Sequence, residues 1–263
     1  MAGPAMPTAE PHLLRVVHRS RTVNVHVAGD GPPVVILHGW GLSSRPYRDV
    51  LSSVAGHGYR AIAPSLSVME PPWSLQGLAE ISSTVLAQMD ALPATFVGHS
   101  FGGAVAIQLT ADFPELVERL VLVNSLGVSP GRAALVRTVV PGRHWRIGMR
   151  RDTAAALLGS ATAGGGWSSL SGAARWVLSS TLEPELERIR EAGMPSAVLW
   201  AEGDTLLPMR IGRRASELLG ASFEPIVAGD GWPGKRPPDH DWPLVGPRFF
   251  ADKLAGKLIE LSP

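Results

Sequence analysis

The residues best suited to chemistry in this chain surround Ser100. The segment Gly98–Gly103, with the sequence GHSFGG, lies between a strand-like stretch at 95–97 and a helix-like stretch at 102–112. A serine at such a junction occupies a sharp turn, and the flanking glycines let neighbouring backbone approach closely. The turn exposes the serine Oγ and puts the next backbone N–H at the start of a helix, which suits attack on a carbonyl and stabilisation of the resulting oxyanion. The G-x-S-x-G pattern alone is also compatible with a glycine-rich turn that has no chemical role.

Alternating strand and helix patterns must position this serine. Such alternation predicts a parallel sheet with helices on both faces. No strand-like apolar run occurs between Ser129 and Ala192, which favours a helical insertion within the α/β core. The predicted strands lie at 13–18, 22–27, 34–37, 59–63, 95–97, 120–123, 196–200 and 223–227, and the predicted helices at 44–55, 75–89, 102–112 and 248–261.

Composition excludes several classes of protein. The chain has 263 residues, 45% of them hydrophobic and 18% charged, which suits a folded globular domain rather than a disordered one. A net charge of +1 speaks against nucleic-acid binding, and the lack of cysteine rules out disulfides, cysteine-ligated zinc and a thiol nucleophile. Because no apolar run approaches the roughly 20 residues of a membrane span and residues 1–11 do not resemble a secretory signal, we expect a cytoplasmic protein.

The chain resembles the α/β-hydrolase superfamily over nearly all of residues 13–261, because it carries four motifs in the order in which they occur in that superfamily. The resemblance implies an α/β-hydrolase fold: a mostly parallel central sheet with helices on both faces and a helical cap, or lid, inserted after the sixth strand. The core would comprise residues 1–128 and 193–263, and the cap residues 129–192. The motifs are Leu37–Gly41 (LHGWG), Gly98–Gly103 (GHSFGG), Val198–Asp204 (VLWAEGD) and Asp239–Leu244 (DHDWPL).

The resemblance implies a catalytic triad of Ser100 as nucleophile, His240 as general base and Asp204 as the acid that orients the histidine. His240 is the only histidine that follows Asp204, as the family order of serine, aspartate and histidine requires. Glu202 is the alternative acid, and Asp204 could instead cap a helix.

The resemblance also assigns roles around the triad. In similar enzymes the backbone N–H groups at Trp40 and Phe101 form the oxyanion hole. His38 supports this loop in the family, with a role as general base as the alternative. His99 and Trp242 are predicted to line the substrate pocket.

Tryptophan placement favours an apolar, aromatic pocket beneath the cap, because several tryptophans follow strands at the predicted carboxyl edge of the sheet. The alternative is that they anchor the cap to the core. The residues are Trp40, Trp73, Trp200, Trp232 and Trp242 at this edge and Trp145, Trp167 and Trp176 in the insertion.

Two segments depart from the usual family pattern. Relatives often carry Asp-x-x-Gly-x-Gly after the fourth strand, where this chain has PSLSVM at 64–69. Because the motif shapes a loop beside the site, we expect the pocket of this chain to differ in shape from theirs. The loop at 228–239 is longer than usual. If this loop is mobile, His240 lies out of place until substrate binds.

The predicted function is that of a serine esterase: cleavage of a carboxylic ester or related acyl compound with a hydrophobic or aromatic group, through an acyl-enzyme intermediate. The substrate would be a small molecule, with no cofactor and no metal. The same triad also suits C–C bond hydrolysis, thioester hydrolysis, acyl transfer and cofactor-free haloperoxidase-like activity. A ligand receptor of the same fold is the non-enzymatic alternative, and the oligomeric state stays open.

Overall fold

The computed structural model describes residues 9–19, 21–40, 42–66, 74–129, 181–229 and 231–262. Eight strands form one sheet in the order β1-β2-β4-β3-β5-β6-β7-β8. The pairs β1–β2 and β2–β4 are antiparallel, and the other neighbours are parallel, so the predicted mostly parallel sheet is confirmed. The strands are β1 His12–His18, β2 Arg21–Ala28, β3 Pro33–Leu37, β4 Arg60–Pro64, β5 Ala94–His99, β6 Val117–Val123, β7 Ser196–Ala201 and β8 Ser222–Ile226.

The central strands are buried on both faces, as their continuous apolar runs predict. Successive side chains point to opposite sides of a sheet, so each of these strands contributes to two cores. In β3, for example, Val35 and Leu37 belong to one buried cluster, while Val34 and Ile36 belong to the other.

Helices cover both faces of the sheet. Residues of α2, α3, α4 and α5 pack in the first cluster, and residues of α1, α6 and α7 in the second. None of the helices in the described part of the chain is long and apolar enough to cross a membrane. The helices are α1 Arg48–Ala55, α2 Leu75–Gln88, α3 Phe101–Asp112, α4 Glu183–Glu191, α5 Met209–Leu219, α6 Trp242–Val245 and α7 Pro247–Glu260.

The described residues on either side of segment 130–180 lie next to each other. Leu182 donates its backbone N–H to the carbonyl of Gly127 at 2.6 Å, so the two ends of the intervening segment lie side by side. Helix α4 falls within the predicted cap of residues 129–192, yet Leu186 and Ile189 on this helix are buried in the first core cluster. Residues 130–180 lie outside the described residues, and they include the three tryptophans of the predicted cap. The cap therefore stays a prediction.

Helix α3 starts in direct contact with the sheet because Gly102 and Gly103 in its first turn have no side chains. A Cβ atom at Gly102 would overlap the carbonyl oxygen of Leu37 in β3. A Cβ atom at Gly98 would similarly overlap the Cα atom of Gly103. The glycines around Ser100 are therefore required for close approach of helix and sheet.

We expect Gly102→Ala to lower the free energy of unfolding by about 1–3 kcal/mol, because the new methyl group meets rigid backbone. Gly256→Ala is the matched control: this glycine lies in α7 with open space around its Cα, so alanine should raise stability by about 0.5–1 kcal/mol. Urea denaturation of both variants measures the difference. Equal effects of the two substitutions would contradict this account of the α3 packing.

Candidate active site

Ser100 occupies the junction between β5 and α3 in an unusual backbone conformation, with φ 55° and ψ −120°. Such a conformation in a non-glycine residue costs roughly 1–3 kcal/mol and persists only where the surroundings enforce it. Here the Ser100 N–H donates to the carbonyl of Val123 at 3.1 Å, and the Ser100 carbonyl accepts from the N–H groups of Gly103 and Leu126 at 3.0 and 2.9 Å. Backbone from α3 and from both sides of the β6 end therefore fixes the turn.

The structure brings the three predicted triad residues into one hydrogen-bonded chain. The Ser100 Oγ lies 2.8 Å from His240 Nε2, and His240 Nδ1 lies 2.8 Å from Asp204 Oδ2. Asp204 is buried, whereas the alternative acid, Glu202, is exposed. The arrangement allows His240 to accept a proton from the serine hydroxyl while its other nitrogen donates to the carboxylate.

Asp204 is held by bonds to both of its carboxylate oxygens. Oδ1 accepts from the backbone N–H groups of Leu206 and Leu207, each at 2.8 Å. Oδ2, which faces His240, also accepts from the side-chain amide of Asn124. The carboxylate therefore stabilises the turn that follows β7 and contacts the histidine as well, whereas the N-cap of α5 is Pro208.

Asn124 is a site residue that the sequence motifs do not identify. It is fully buried directly after β6, and its Oδ1 accepts from the backbone N–H of Ala201 at 3.1 Å and from the Trp242 indole N–H at 2.9 Å. Its only signal in the sequence is its position, one residue beyond a buried strand at the carboxyl edge of the sheet. Asn124 thus joins β6, β7 and the segment after His240 behind the triad.

The charges of Asp204 and His240 stabilise each other in a buried place. Burial opposes the imidazolium, but the Asp204 carboxylate, with smaller contributions from Asp241 and Asp239, raises the pKa of His240 to about 9. Burial would likewise raise the pKa of Asp204, but the charge of His240 and the hydrogen bonds from His240, Asn124 and Leu207 lower it below its ordinary value. Asp204 is therefore ionised throughout the neutral range.

The loop after β3 lies beside the nucleophile. A Cβ atom at Gly39 would be 3.4 Å from the Cβ of Ser100, so this backbone passes in contact with the serine. His38 donates from Nδ1 to the carbonyl of Gly39 at 2.9 Å and accepts at Nε2 from the N–H of Leu66 at 2.9 Å. Burial lowers the pKa of His38 to about 4, which keeps the ring neutral.

Both ring nitrogens of His38 are therefore engaged in supporting the loop, which does not suit a general base. The segment after β4, where this chain lacks the Asp-x-x-Gly-x-Gly motif, is held by two side-chain contacts. His38 accepts from the N–H of Leu66, and Ser65 Oγ lies 2.9 Å from Ser44 Oγ. Residues 67–69 of the altered motif lie outside the described residues.

Trp40 and Phe101 occupy the positions from which an oxyanion hole would be built. Trp40 directly follows Gly39, and Phe101 directly follows Ser100 as the first residue of α3. The Trp40 ring is partly buried against the first core cluster, and its indole N–H is buried with no hydrogen-bond partner among the described residues. The oxyanion role of the two backbone groups stays a prediction.

The structure places His99 and Trp242 in buried, hydrogen-bonded positions. Trp242 is fully buried, donates to Asn124 and packs edge-on against Phe249 and Phe250 with centroid distances of 6.1 and 5.3 Å. His99 is also buried, and both of its ring nitrogens bond to protein groups: Nδ1 to the Tyr47 hydroxyl and Nε2 to the His240 carbonyl. Their predicted role in lining a substrate pocket stays a prediction.

Other predicted tryptophans are also part of the core or its edge. Trp200 is fully buried and donates its indole N–H to the carbonyl of Leu207 at 2.8 Å. Trp232 packs edge-on against Phe249 at a centroid distance of 5.5 Å. Trp73 lies outside the described residues.

The long loop before His240 is held by contacts within itself, with the turn after β7 and with α7. The Trp232 indole N–H donates to the carbonyl of Arg236 at 2.6 Å within the loop, and the Trp232 ring contacts Phe249. The backbone N–H of Gly203 donates to the carbonyl of Pro238 at 3.1 Å. With His240 in hydrogen-bond contact with both triad partners, the structure does not show the displaced histidine that a mobile loop would produce. Among the described residues there is no group of three or more side chains suited to hold a metal ion.

Known proteins of the alpha/beta hydrolase family are similar to this chain in sequence and in fold. The model of the alpha/beta hydrolase family matches residues 34–253. A protein of Mycobacterium phage D29 named "Putative non-heme haloperoxidase" is 27% identical over 272 residues, which cover 92% of each chain. A 2-hydroxymuconate semialdehyde hydrolase from Pseudomonas putida is 28% identical over 137 residues, or 47% of each chain.

Among solved structures, a meta-cleavage product hydrolase from Pseudomonas fluorescens IP01 superimposes with a TM-score of 0.72 at 19% sequence identity, covering 95% of this chain and 98% of that chain. At this identity the likeness concerns the fold. Since the family model spans the sheet from β3 to helix α7 and includes every residue of the hydrogen-bonded chain at Ser100, the protein belongs to the alpha/beta hydrolase family.

Proposed function

We propose that this protein is a serine hydrolase that cleaves a carboxylic ester, or a related acyl compound, with a hydrophobic or aromatic group. The observation that carries the proposal is the unbroken chain from Ser100 Oγ through His240 to Asp204, with a 2.8 Å contact at each step. A serine hydroxyl is a weak nucleophile until a neighbouring base accepts its proton, and this geometry supplies the base and a group that orients it.

The reaction proceeds through an acyl-enzyme. Ser100 Oγ attacks the carbonyl carbon while His240 Nε2 takes its proton, and His240 then returns that proton to the leaving alcohol. Water, deprotonated by His240, then attacks the acyl-enzyme. The acid is released as Ser100 Oγ leaves and takes this proton back from His240. The backbone N–H groups of Trp40 and Phe101 stabilise the oxyanion in both steps, and loss of one such donor typically costs about 10²–10³ in rate.

An apolar acyl group suits the residues around the nucleophile. Trp40 lies in the loop that contacts Ser100, directly after Gly39, and its ring is only partly buried where it packs against the first core cluster. An apolar ring in this loop favours substrates that bury a hydrocarbon or an aromatic ring.

A second candidate is haloperoxidase-like chemistry, which the name of the full-length phage relative favours. An acyl-enzyme attacked by hydrogen peroxide in place of water gives a peracid, and a peracid oxidises halides without a cofactor. This chemistry needs the same serine, so the two candidates differ in the acceptor rather than in the triad. Peroxide-dependent bromination in acetate buffer distinguishes them.

We expect hydrolysis of p-nitrophenyl esters, and Ser100→Ala should lower kcat by about 10⁴-fold or more because the nucleophile is lost. The assay uses esters from acetate to decanoate, and the preferred chain length measures the acyl pocket. Ser125→Ala is the matched control. This buried serine lies near the turn that carries Ser100 but donates to the carbonyl of Leu126, not to the triad. Turnover that survives in Ser100→Ala, or a wild-type protein that binds esters without hydrolysing them, would contradict the proposal.

The pH dependence follows from the raised pKa of His240. Only the neutral imidazole can accept the serine proton, so kcat/KM should fall as the pH drops through this pKa. Because the pKa lies above its ordinary 6.5, at about 9, the acidic limb should lie at higher pH than for an unperturbed histidine. Asp241→Asn removes a carboxylate that favours the imidazolium, and the limb should therefore move to lower pH.

The control for this shift is Asp252→Asn, which changes a carboxylate on α7 that pairs with His57 away from the triad. We expect its profile of kcat/KM against pH to match the wild type. A limb that stays in place in Asp241→Asn, or moves to higher pH, would show that Asp241 does not stabilise the charged form of His240.

A further inference from the structure

Two buried side chains, Tyr47 and His99, connect the loop after β3 with the backbone of the triad histidine. The Tyr47 hydroxyl lies 3.3 Å from the backbone nitrogen of Gly39 and 2.6 Å from His99 Nδ1. His99 Nε2 lies 2.9 Å from the carbonyl oxygen of His240. We call this chain of three hydrogen bonds, from Gly39 to His240 through Tyr47 and His99, the Tyr47–His99 bridge.

The chemistry of the groups fixes the direction of every bond in the bridge. The carbonyl of His240 can only accept, so His99 Nε2 carries the hydrogen. In a neutral imidazole the other nitrogen is then an acceptor, and Tyr47 must donate its hydroxyl hydrogen to His99 Nδ1. The Tyr47 oxygen is left to accept the N–H of Gly39, which is the only way that this N–H can bond to it.

This pattern requires a neutral His99, and its surroundings ensure one. Burial, together with the neighbouring charge of His240, lowers the pKa of His99 to about 3. Burial also raises the pKa of Tyr47, so the phenol keeps its hydrogen. The bridge therefore has one protonation pattern across the working range of pH and does not take part in proton transfer.

We propose that Tyr47 and His99 are positioning residues for acyl transfer, and that the Tyr47–His99 bridge holds the oxyanion-hole loop and His240 at a fixed distance across Ser100. This inference rests on the proposed function. Tyr47 and His99 act by holding Gly39 and His240 in place, and neither contacts substrate.

Packing alone does not explain these two polar side chains. Tyr47 is fully buried and His99 is 2% exposed, and an apolar side chain would satisfy the same space without hydrogen bonds. The polar atoms of both residues instead reach two groups that each contact the nucleophile: Gly39, which passes in contact with Ser100, and His240, which bonds to Ser100 Oγ. Small displacements of such groups can cost about 100-fold in rate.

The test begins with Tyr47→Phe, which removes one hydroxyl and keeps the ring. We expect kcat for p-nitrophenyl esters to fall by about tenfold to 100-fold, with KM essentially unchanged, because the transition state needs the aligned geometry more than substrate binding does. The rate of labelling by a fluorophosphonate probe should fall in parallel, since labelling uses the same serine and base. Tyr59→Phe is the matched control, as Tyr59 is the other tyrosine of the chain and lies partly buried outside the bridge.

Substitutions at His99 separate a bridge from a general packing effect. Gln can still donate to the His240 carbonyl, whereas Leu cannot, so His99→Gln should retain more kcat than His99→Leu. The double variant Tyr47→Phe/His99→Leu should lose little more than the more damaging single variant, because both substitutions break one chain. Thermal melts monitored by circular dichroism verify that each variant is folded at the assay temperature.

The outcomes distinguish this inference from the proposed function. If Ser100→Ala abolishes hydrolysis and labelling while Tyr47→Phe and His99→Leu keep wild-type kcat, the bridge has no positioning role. Equal losses in Tyr59→Phe and Tyr47→Phe, or additive losses in the double variant, would also overturn the inference. If Tyr47→Phe does not fold, the comparison of His99→Gln with His99→Leu decides. Activity that persists in Ser100→Ala would overturn the proposed function itself.

Discussion

The site depends on one constraint: Ser100 must sit where a buried strand passes directly into a buried helix. This is possible because a helix can begin in contact with the sheet only where side chains are absent, as at Gly98 and Gly102. The cost of the strained backbone at Ser100 is offset by three backbone hydrogen bonds from its surroundings. The fold therefore holds a single hydroxyl in a fixed position.

The second requirement is a buried carboxylate that stays charged. An isolated ion at this depth would be unstable, and Asp204 is accommodated because N–H donors from the turn after β7 and from Asn124 surround it. Asn124 in turn bonds to Trp242, and Gly203 bonds to Pro238, so the histidine-bearing segment is anchored on both sides of His240. The same group of residues stabilises the fold and holds His240 beside Ser100.

The sequence predicts the sheet and the order of the triad because these leave local signals. Apolar runs identify β3, β5 and β6, and short motifs identify the ends at which Ser100, Asp204 and His240 lie. The supporting residues leave no such signal: Asn124 and Trp242 are 118 residues apart, and Tyr47 and His99 are 52 apart.

The positions of the buried aromatic residues could not be read from the sequence for a related reason. Position at the carboxyl edge suggests that Trp242 and His99 face substrate, but the same edge must also be closed from behind by side chains that satisfy buried polar groups. Residue type and position do not separate these two roles, whereas hydrogen-bond partners do. Helix α4 shows the same effect, since its residues lie in the predicted insertion and yet fill the core.

The central claim is that Ser100 forms a covalent acyl intermediate. The most direct test is rapid acid quenching of the protein with a p-nitrophenyl ester during the first turnover, followed by intact-mass measurement and peptide mapping. We expect the mass of the peptide that contains Ser100 to increase by one acyl group, and we expect no such increase in Ser100→Ala. Turnover without a covalent species, or an acyl group on another residue, would contradict it.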